Sequence, residues 1–331
     1  MPSPVAKPLA LVYGGTGVTG SRIVNNLLKR GHFDVGIITR PASTTKSAVV
    51  ALKDKSVHIR IGDAGSDDVE TLRKALDGAE VLVSAVSALG LETQYRLFEA
   101  AKAASVKRVV PCDFGTYTPR GVRAMADLKY AIQDYIKSLE LGHTFIDVGW
   151  WMQFALPFPS SAESNFVSDL SVEFYGNPDE DKKSALTDLD DVGKFVARIV
   201  EDERTLNRYV FVWGEERTQK ERWEIAQQVL GEDVESRKVP VSGEELLKRA
   251  KAVKEEILSL PDPKAVEFKA YSDWTYNEYQ YSMHIRGDNT VANAKAAGAL
   301  DARELYPDVE VNSFENYAKE FYVNPPSLYD Y

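Results

Sequence analysis

LVYGGTGVTGSRIVNNLLKRG, residues 11–31, packs Gly14, Gly15, Gly17 and Gly20 between an apolar run and an amphipathic stretch. Gly15, Gly17 and Gly20 satisfy G-x-G-x-x-G, and Gly14, Gly17 and Gly20 satisfy the overlapping G-x-x-G-x-x-G. As a bare string this is no more than a tight turn. Its context, a strand before it and a helix after it, is where side chains would keep a pyrophosphate away from backbone amides and the positive helix end. The turn from Gly14 through Thr16, Val18 and Thr19 to Gly20 therefore reads as a dinucleotide seat.

Working outward, residues 9–13, 33–39, 57–61, 80–86, 108–111 and 144–148 read as strands, and 18–30, 67–76, 92–104 and 124–141 carry helical spacing. Strands alternating with crossover helices predict an α/β fold with a doubly wound parallel sheet of Rossmann type over residues 1–150. Past Gly149 the texture changes to WWMQFALPFPSSAES, aromatic and broken by proline, which predicts a smaller C-terminal α/β substrate lobe over 151–331. Within it LTDLDDVGKFVARIV reads as a helix and RYVFVW as a strand, so that parts of about 187–215 are expected to return to the main sheet. Thr218 with Glu221, and Ser242 with Glu245, fit the capping box and predict helices over 219–230 and 243–258. KEEILSLPDPKAVE looks like a solvated connection.

The second strand discriminates between nicotinamide cofactors, because an acid at its carboxyl end suits a free ribose 2′-hydroxyl and a cation suits a 2′-phosphate. Here it ends IITRPASTTK, with Arg40 twenty residues after Gly20, Lys46 nearby and no acid beside them. Asp34 sits at the wrong end. NADPH is the expected cofactor. Asp63 is placed either to meet the adenine edge or to form a turn. Ser84, Ala85, Val86 and Ser87, closing the fourth strand, are small enough for a dinucleotide to pass or simply to pack.

The chain has 331 residues, 44% of them hydrophobic, enough for a sizeable core. Its 50 acidic against 40 basic side chains argue against nucleic acid and anionic membranes as partners. No apolar run reaches the length of a membrane span. The single cysteine, Cys112, rules out an intrachain disulfide and suits a cytoplasmic, reducing location. Histidines stand scattered at 32, 58, 143 and 284, with no metal-ligand spacing, so no metal is expected. A homodimer is compatible with this pattern.

The dyad of ordinary short-chain dehydrogenases needs Y-x-x-x-K, which occurs nowhere in the chain. What does occur is VKRVVPCDFGTY and then DLKYAIQDYIKSLELGHTFIDVGWW. With GGTGVTG, these blocks resemble the isoflavone reductase-like and NmrA-like branch of atypical short-chain reductases, which includes pinoresinol-lariciresinol and phenylcoumaran benzylic ether reductases. The resemblance spans essentially the whole chain and thins after Trp151. It implies an NADPH-dependent reductase of an aromatic or phenolic small molecule, reducing a conjugated double bond or a benzylic carbon. It also implies that Lys129, by its place in DLKYAIQ, is the general acid or base, and that Pro111, Cys112, Asp113 and Phe114 lie beside the cofactor. The PCDFG turn departs from the family's P-S-E-F-G, with Cys112 for serine and Asp113 for glutamate. An NmrA-type regulator that binds the dinucleotide without turnover is the alternative.

Read without the family, Lys129 borders an apolar stripe of Leu128, Ile132, Tyr135 or Ile136 and Leu139, where most lysines lay the stem on apolar surface. The resemblance implies that this helix lies beside the nicotinamide, and an ammonium in a half-buried cleft near that cationic ring is expected to lose proton affinity. Trp150, Trp151, Phe154 and Phe158, then Tyr271, Trp274, Tyr276, Tyr279 and Tyr281, are each core by default but together suit a flat aromatic ligand. Trp151, Met152, Phe154, Trp274 and His284 are the candidate substrate contacts.

Overall fold

A computed structural model of the chain describes residues 6–163, 166–262 and 266–325. Ala10, Leu11 and Val12 of β1 (Leu9–Tyr13) are wholly buried, so the strand needs cover on both faces. α1 (Val18–Arg30) covers one face with Ile23, Val24 and Leu27. It stops at Gly31, whose φ of 69° lets its N–H close back on Leu27 O at 3.1 Å.

Next come β2 (Asp34–Thr39), α2 (Ser47–Asp54), β3 (His58–Ile61), α3 (Val69–Ala75), β4 (Ala79–Ser84), α4 (Gln94–Ala103) and β5 (Arg108–Val110). The strands pair in the order β3-β2-β1-β4-β5, all parallel, with Tyr13 opposite Ile38 on one side and Ser84 on the other. Because the strand order reverses at β1, a crevice opens at its carboxyl end. α5 (Ala124–Ser138) then leads to β6 (Thr144–Asp147). A parallel bridge between Val109 and His143, with Val109 N–H donating to Gly142 O at 2.8 Å, carries the sheet on to β6. α2 has no counterpart in the sequence reading: SAVVALKD buries only Val49 and Leu52, too little periodicity to register.

The rest of the chain contributes β7 (Trp150–Trp151), α6 (Phe166–Leu170), β8 (Glu173–Tyr175), β9 (Ser184–Thr187), α7 (Leu189–Glu201) and β10 (Arg208–Phe211). β10 pairs in parallel with β6. α7 lies directly on α1, where a Cβ at Gly193 would stand 2.6 Å from Arg22 O, so glycine lets the two backbones approach. Arg22–Asp190, at 2.7 Å, and Arg30–Glu201 close the same contact at the surface.

β11 (Glu215–Arg217) pairs with β9, which also pairs with β7. α8 (Gln219–Leu230) begins with both halves of the Thr218–Glu221 capping box in place. β12 (Val239–Val241) pairs with β8. α9 (Gly243–Ser259) has half a box: Ser242 Oγ accepts from the Glu245 N–H, while the Glu245 carboxylate turns to Arg249 at 3.1 Å. α9 also runs through 254–259, so the first part of the expected connection is helix; residues 263–265 of that stretch lie outside the described residues. α10 (Phe268–Gln280) continues into a π turn over Tyr281–Arg286. α11 (Val291–Ala296), β13 (Leu300–Asp301) beside β10, α12 (Ala302–Leu305) and α13 (Phe314–Val323) complete the order. Among the described residues no helix is long and apolar enough to cross a membrane.

Candidate active site

The glycine turn is built by close approach. Gly14 has φ 79°, and a Cβ there would fall 2.5 Å from Ala85 O; one at Gly15 would meet Ile37 at 2.4 Å, and one at Gly20 would meet Gly14 O at 2.2 Å. Gly17 starts α1 with no side-chain cap, so the amides of the first turn, around exposed Thr16 and half-buried Val18 and Thr19, are left for an outside acceptor. Beside them the Ser84 hydroxyl is buried without a hydrogen-bond partner. A bare, positively polarised cradle of this shape fits a dinucleotide pyrophosphate.

Arg40 is exposed at the end of β2, and its charge acts on Tyr13 together with that of Asp63. The two thus flank the carboxyl edge of β1. Asp63 Oδ1 accepts from Gly65 N–H at 2.9 Å, which is turn-forming geometry. Lys46 is exposed at the start of α2, and Ser87 is exposed ahead of the 88–93 turn.

From the glycine turn a cavity of about 1210 Å³, counted to its open mouth, runs toward α5 and α10. Thr19, Ala85 and Val86 line its floor, with Cys112, Asp113, Phe114 and Lys129 beyond them. Trp150, Trp151, Phe154 and Phe158 form one wall, and Phe268, Ser272, Thr275, Tyr276 and Tyr279 the other. Trp151 Nε1 donates to Phe114 O at 3.1 Å, tying the wall to the turn after β5, where Phe114 itself has φ 20°, a strained value for a bulky residue.

Lys129 reaches back across that turn, its Nζ donating to the main-chain carbonyl of Asp113. Behind it lies a small polar chamber, with about 20 Å³ of free space, that includes Asp113, Arg123, Gln133 and Asp147. Burial pushes Asp113 well above the ordinary carboxylate range, and Asp147 adds to it against Lys129 and the Gln133 amide, which donates at 2.9 Å. Burial raises Asp147 too, against Lys129, the Tyr209 hydroxyl at 2.8 Å and Arg123. Lys129 moves the opposite way from the sequence expectation. Burial pulls it down, but Tyr279, Cys112, Asp113 and Asp147 together outweigh burial and hold the ammonium above its usual value. Burial pushes the Cys112 thiol up to about 11, and it donates to Val86 O at 3.2 Å.

Some expected residues are not brought to the cavity. Pro111 is buried in the strand end. Met152 is wholly buried in the core with Leu186 and Trp223. Trp274 turns along α10 to Glu278 at 2.9 Å, and His284 is buried against Tyr175 and Arg222. Conversely, Tyr276, expected only as one of a set of aromatic residues, lines the wall together with Phe268, Ser272 and Thr275, which were not expected there. Their offsets of four, seven and eight residues mark one helical face, a signal present in the sequence.

The sequence profile of the NmrA-like family matches residues 6–318. Asnovolin J 5′,6′-dehydrogenase of Aspergillus novofumigatus is 32% identical over 317 residues, covering 93% of this chain and 94% of that protein. Pinoresinol reductase 2 of Arabidopsis thaliana is 28% identical over 331 residues, covering 95% and 97%. The structure of AtPrR2 with NADP+ and (+)pinoresinol superposes with a TM-score of 0.74 at 26% identity, covering 96% of this chain and 99% of that one. The binary complex of leucoanthocyanidin reductase with NADPH from Vitis vinifera, 20% identical with a TM-score of 0.77 and covering 96% and 100%, shares the fold. Matched by its profile from the first strand into the last helix, the chain belongs to the NmrA-like family.

Proposed function

We propose that this chain is an NADPH-dependent oxidoreductase that delivers a hydride to a conjugated double bond or benzylic carbon of an aromatic or phenolic small molecule, with Lys129 as general acid or base. The observation carrying this reading is the continuity of one cavity, which has Thr19 of the glycine helix at one end, Lys129 at its side and indole and phenol rings around the remainder. Relatives named for reactions on asnovolin J and pinoresinol support the substrate class.

NADPH supplies the hydride. In this reading the amides of Gly14 to Gly20 hold the pyrophosphate, Arg40 and Lys46 face the 2′-phosphate, Asp63 meets the adenine edge, and Ala85 and Val86 leave room beside the backbone. Trp151 and Phe154, stacked with ring centroids 5.9 Å apart, flank the substrate ring and exclude water. Residues 1–150 form the cofactor domain and 151–331 the substrate lobe. A cytoplasmic location and a homodimeric state belong to the same reading; light scattering on the purified protein tests the latter.

The decisive experiment incubates purified protein with NADPH and a panel of phenylpropanoids, enones and quinones. Substrate-dependent oxidation of NADPH is expected. Tight NADPH binding without turnover across the panel favours a dinucleotide-sensing regulator instead.

A further inference from the structure

The tyrosine–lysine pair that no helix of this chain encodes is assembled here in space. A Cβ placed on Gly115 would lie 3.1 Å from Tyr279 Oη and 3.4 Å from Lys129 Nζ, so the two groups are within about 6.5 Å, the sum of those reaches. Both line the large cavity, and both also border the polar chamber behind it. The Tyr279 hydroxyl donates to Met125 Sδ at 3.6 Å, a weak acceptor that a substrate oxygen would displace. The buried guanidinium of Arg123 sits 3.8 Å from the centroid of the Tyr279 ring, and Nε and Nη1 of Arg123 have no hydrogen-bond partner.

We propose that Tyr279 is a second catalytic residue, a phenol that passes a proton to the substrate oxygen while Lys129, the general acid of the reading above, steadies the resulting phenolate and restores its proton. The proposal rests on the reductase reading above and deepens it. A conjugated acceptor that receives a hydride at carbon gathers an electron pair on the oxygen at the far end of its conjugated system. That oxygen takes the proton: the Tyr279 Oη–H bond breaks, a substrate O–H bond forms, and the phenolate stands beside Lys129 and Arg123. The Lys129 ammonium then returns a proton to Tyr279 and takes its own back from water. The substrate has gained a hydride and a proton, a two-electron reduction with NADPH as the reductant. Burial pushes the phenol up, but Lys129 and Arg123 outweigh it against Asp147, so Tyr279 ionises below its ordinary range. Cys112, Asp113, Tyr130, Tyr271, Tyr276 and Glu278 are the other titratable groups around it.

Ultraviolet difference titration of the purified protein, wild type against Tyr279→Phe, isolates this one phenol without any substrate. A midpoint below the ordinary value of about 10, shifted upward in Lys129→Met, supports the pair. A midpoint at or above that value, or one that Lys129→Met leaves in place, overturns it. With an active substrate, Tyr279→Phe should lower kcat about 10²-fold or more and leave KM and NADPH affinity nearly unchanged. Retained kcat in Tyr279→Phe with loss in Lys129→Ala sinks the second acid but keeps the reductase, whereas retained kcat in Lys129→Ala removes the reading underneath.

Discussion

Lys129 Nζ donates to the main-chain carbonyl of Asp113, sixteen residues earlier, and so pins helix α5 to the turn that follows β5. The acceptor is backbone, which explains how the PCDFG turn tolerates a shorter acid at 113: the lysine is aimed by the path of the chain, whatever side chain stands there. Asp113 spends its carboxylate on Gln133 instead.

Replacing Lys129 with alanine should therefore remove the proton-handling group without disturbing the glycine cradle. The expected result is a kcat lower by about 10²–10⁴-fold, with NADPH affinity within a few-fold of wild type by fluorescence titration. Equal single-turnover rates of NADPH oxidation in the two proteins would refute the assignment.

Arg40 is exposed at the end of β2, and in the proposed reading its charge faces the 2′-phosphate of NADPH. Arg40→Ala should raise the Kd for NADPH by roughly 10–100-fold, the loss of a charge-assisted hydrogen bond of about 1.5–3 kcal/mol, and leave NADH within twofold. Isothermal titration with both dinucleotides checks this, and equal weakening of both would remove Arg40 from the 2′-phosphate.

The strands, the glycine turn and the helix after it were legible because each rests on local physics: apolar runs, period, and the room that glycine gives. β1 and α1 fall on the expected residues, and RYVFVW holds a strand, β10, which pairs with β6. Tyr279 was legible as an aromatic residue of a helix but not as a neighbour of Lys129. They stand 150 positions apart and are brought together where the end of α10 meets the start of α5, with Glu278 accepting from Ala124 N–H at 2.9 Å, a contact that leaves no mark in local spacing. Met152 and His284 misled for a related reason: in a block where every second residue is aromatic or apolar, composition cannot tell the cavity wall from the core behind it.

Cys112 looks like a nucleophile on paper, lining the same cavity as Lys129. Burial holds the thiol near 11 instead, so at pH 8 only about one molecule in 10³ carries the thiolate. Alkylation by iodoacetamide should be slow at neutral pH and rise about tenfold per pH unit through pH 10. A rate that levels off near pH 8.5, the ordinary thiol value, would contradict the burial argument.

His284 supplies a stability switch far from the chemistry. The ring is 4% exposed and stacks on Tyr175, with centroids 5.7 Å apart, while Nε2 lies 3.3 Å from Arg222 Nη2 and Nδ1 has no partner. Burial first, and the Arg222 charge second, hold its proton affinity well below the ordinary 6.5. Above that pH the imidazole is neutral in the folded and unfolded chain alike and contributes no slope. As the pH falls through 6.5, the unfolded chain takes a proton that the folded protein refuses, so stability declines by up to about 1.4 kcal/mol per pH unit. Stability should therefore be lower at pH 5 than at pH 7 on account of this one group. Urea unfolding of wild type and His284→Gln at both pH values measures it: the variant starts less stable but should lose less stability than wild type on acidification. Parallel losses in the two proteins would mean that His284 is protonated in the folded state, against the burial that surrounds it.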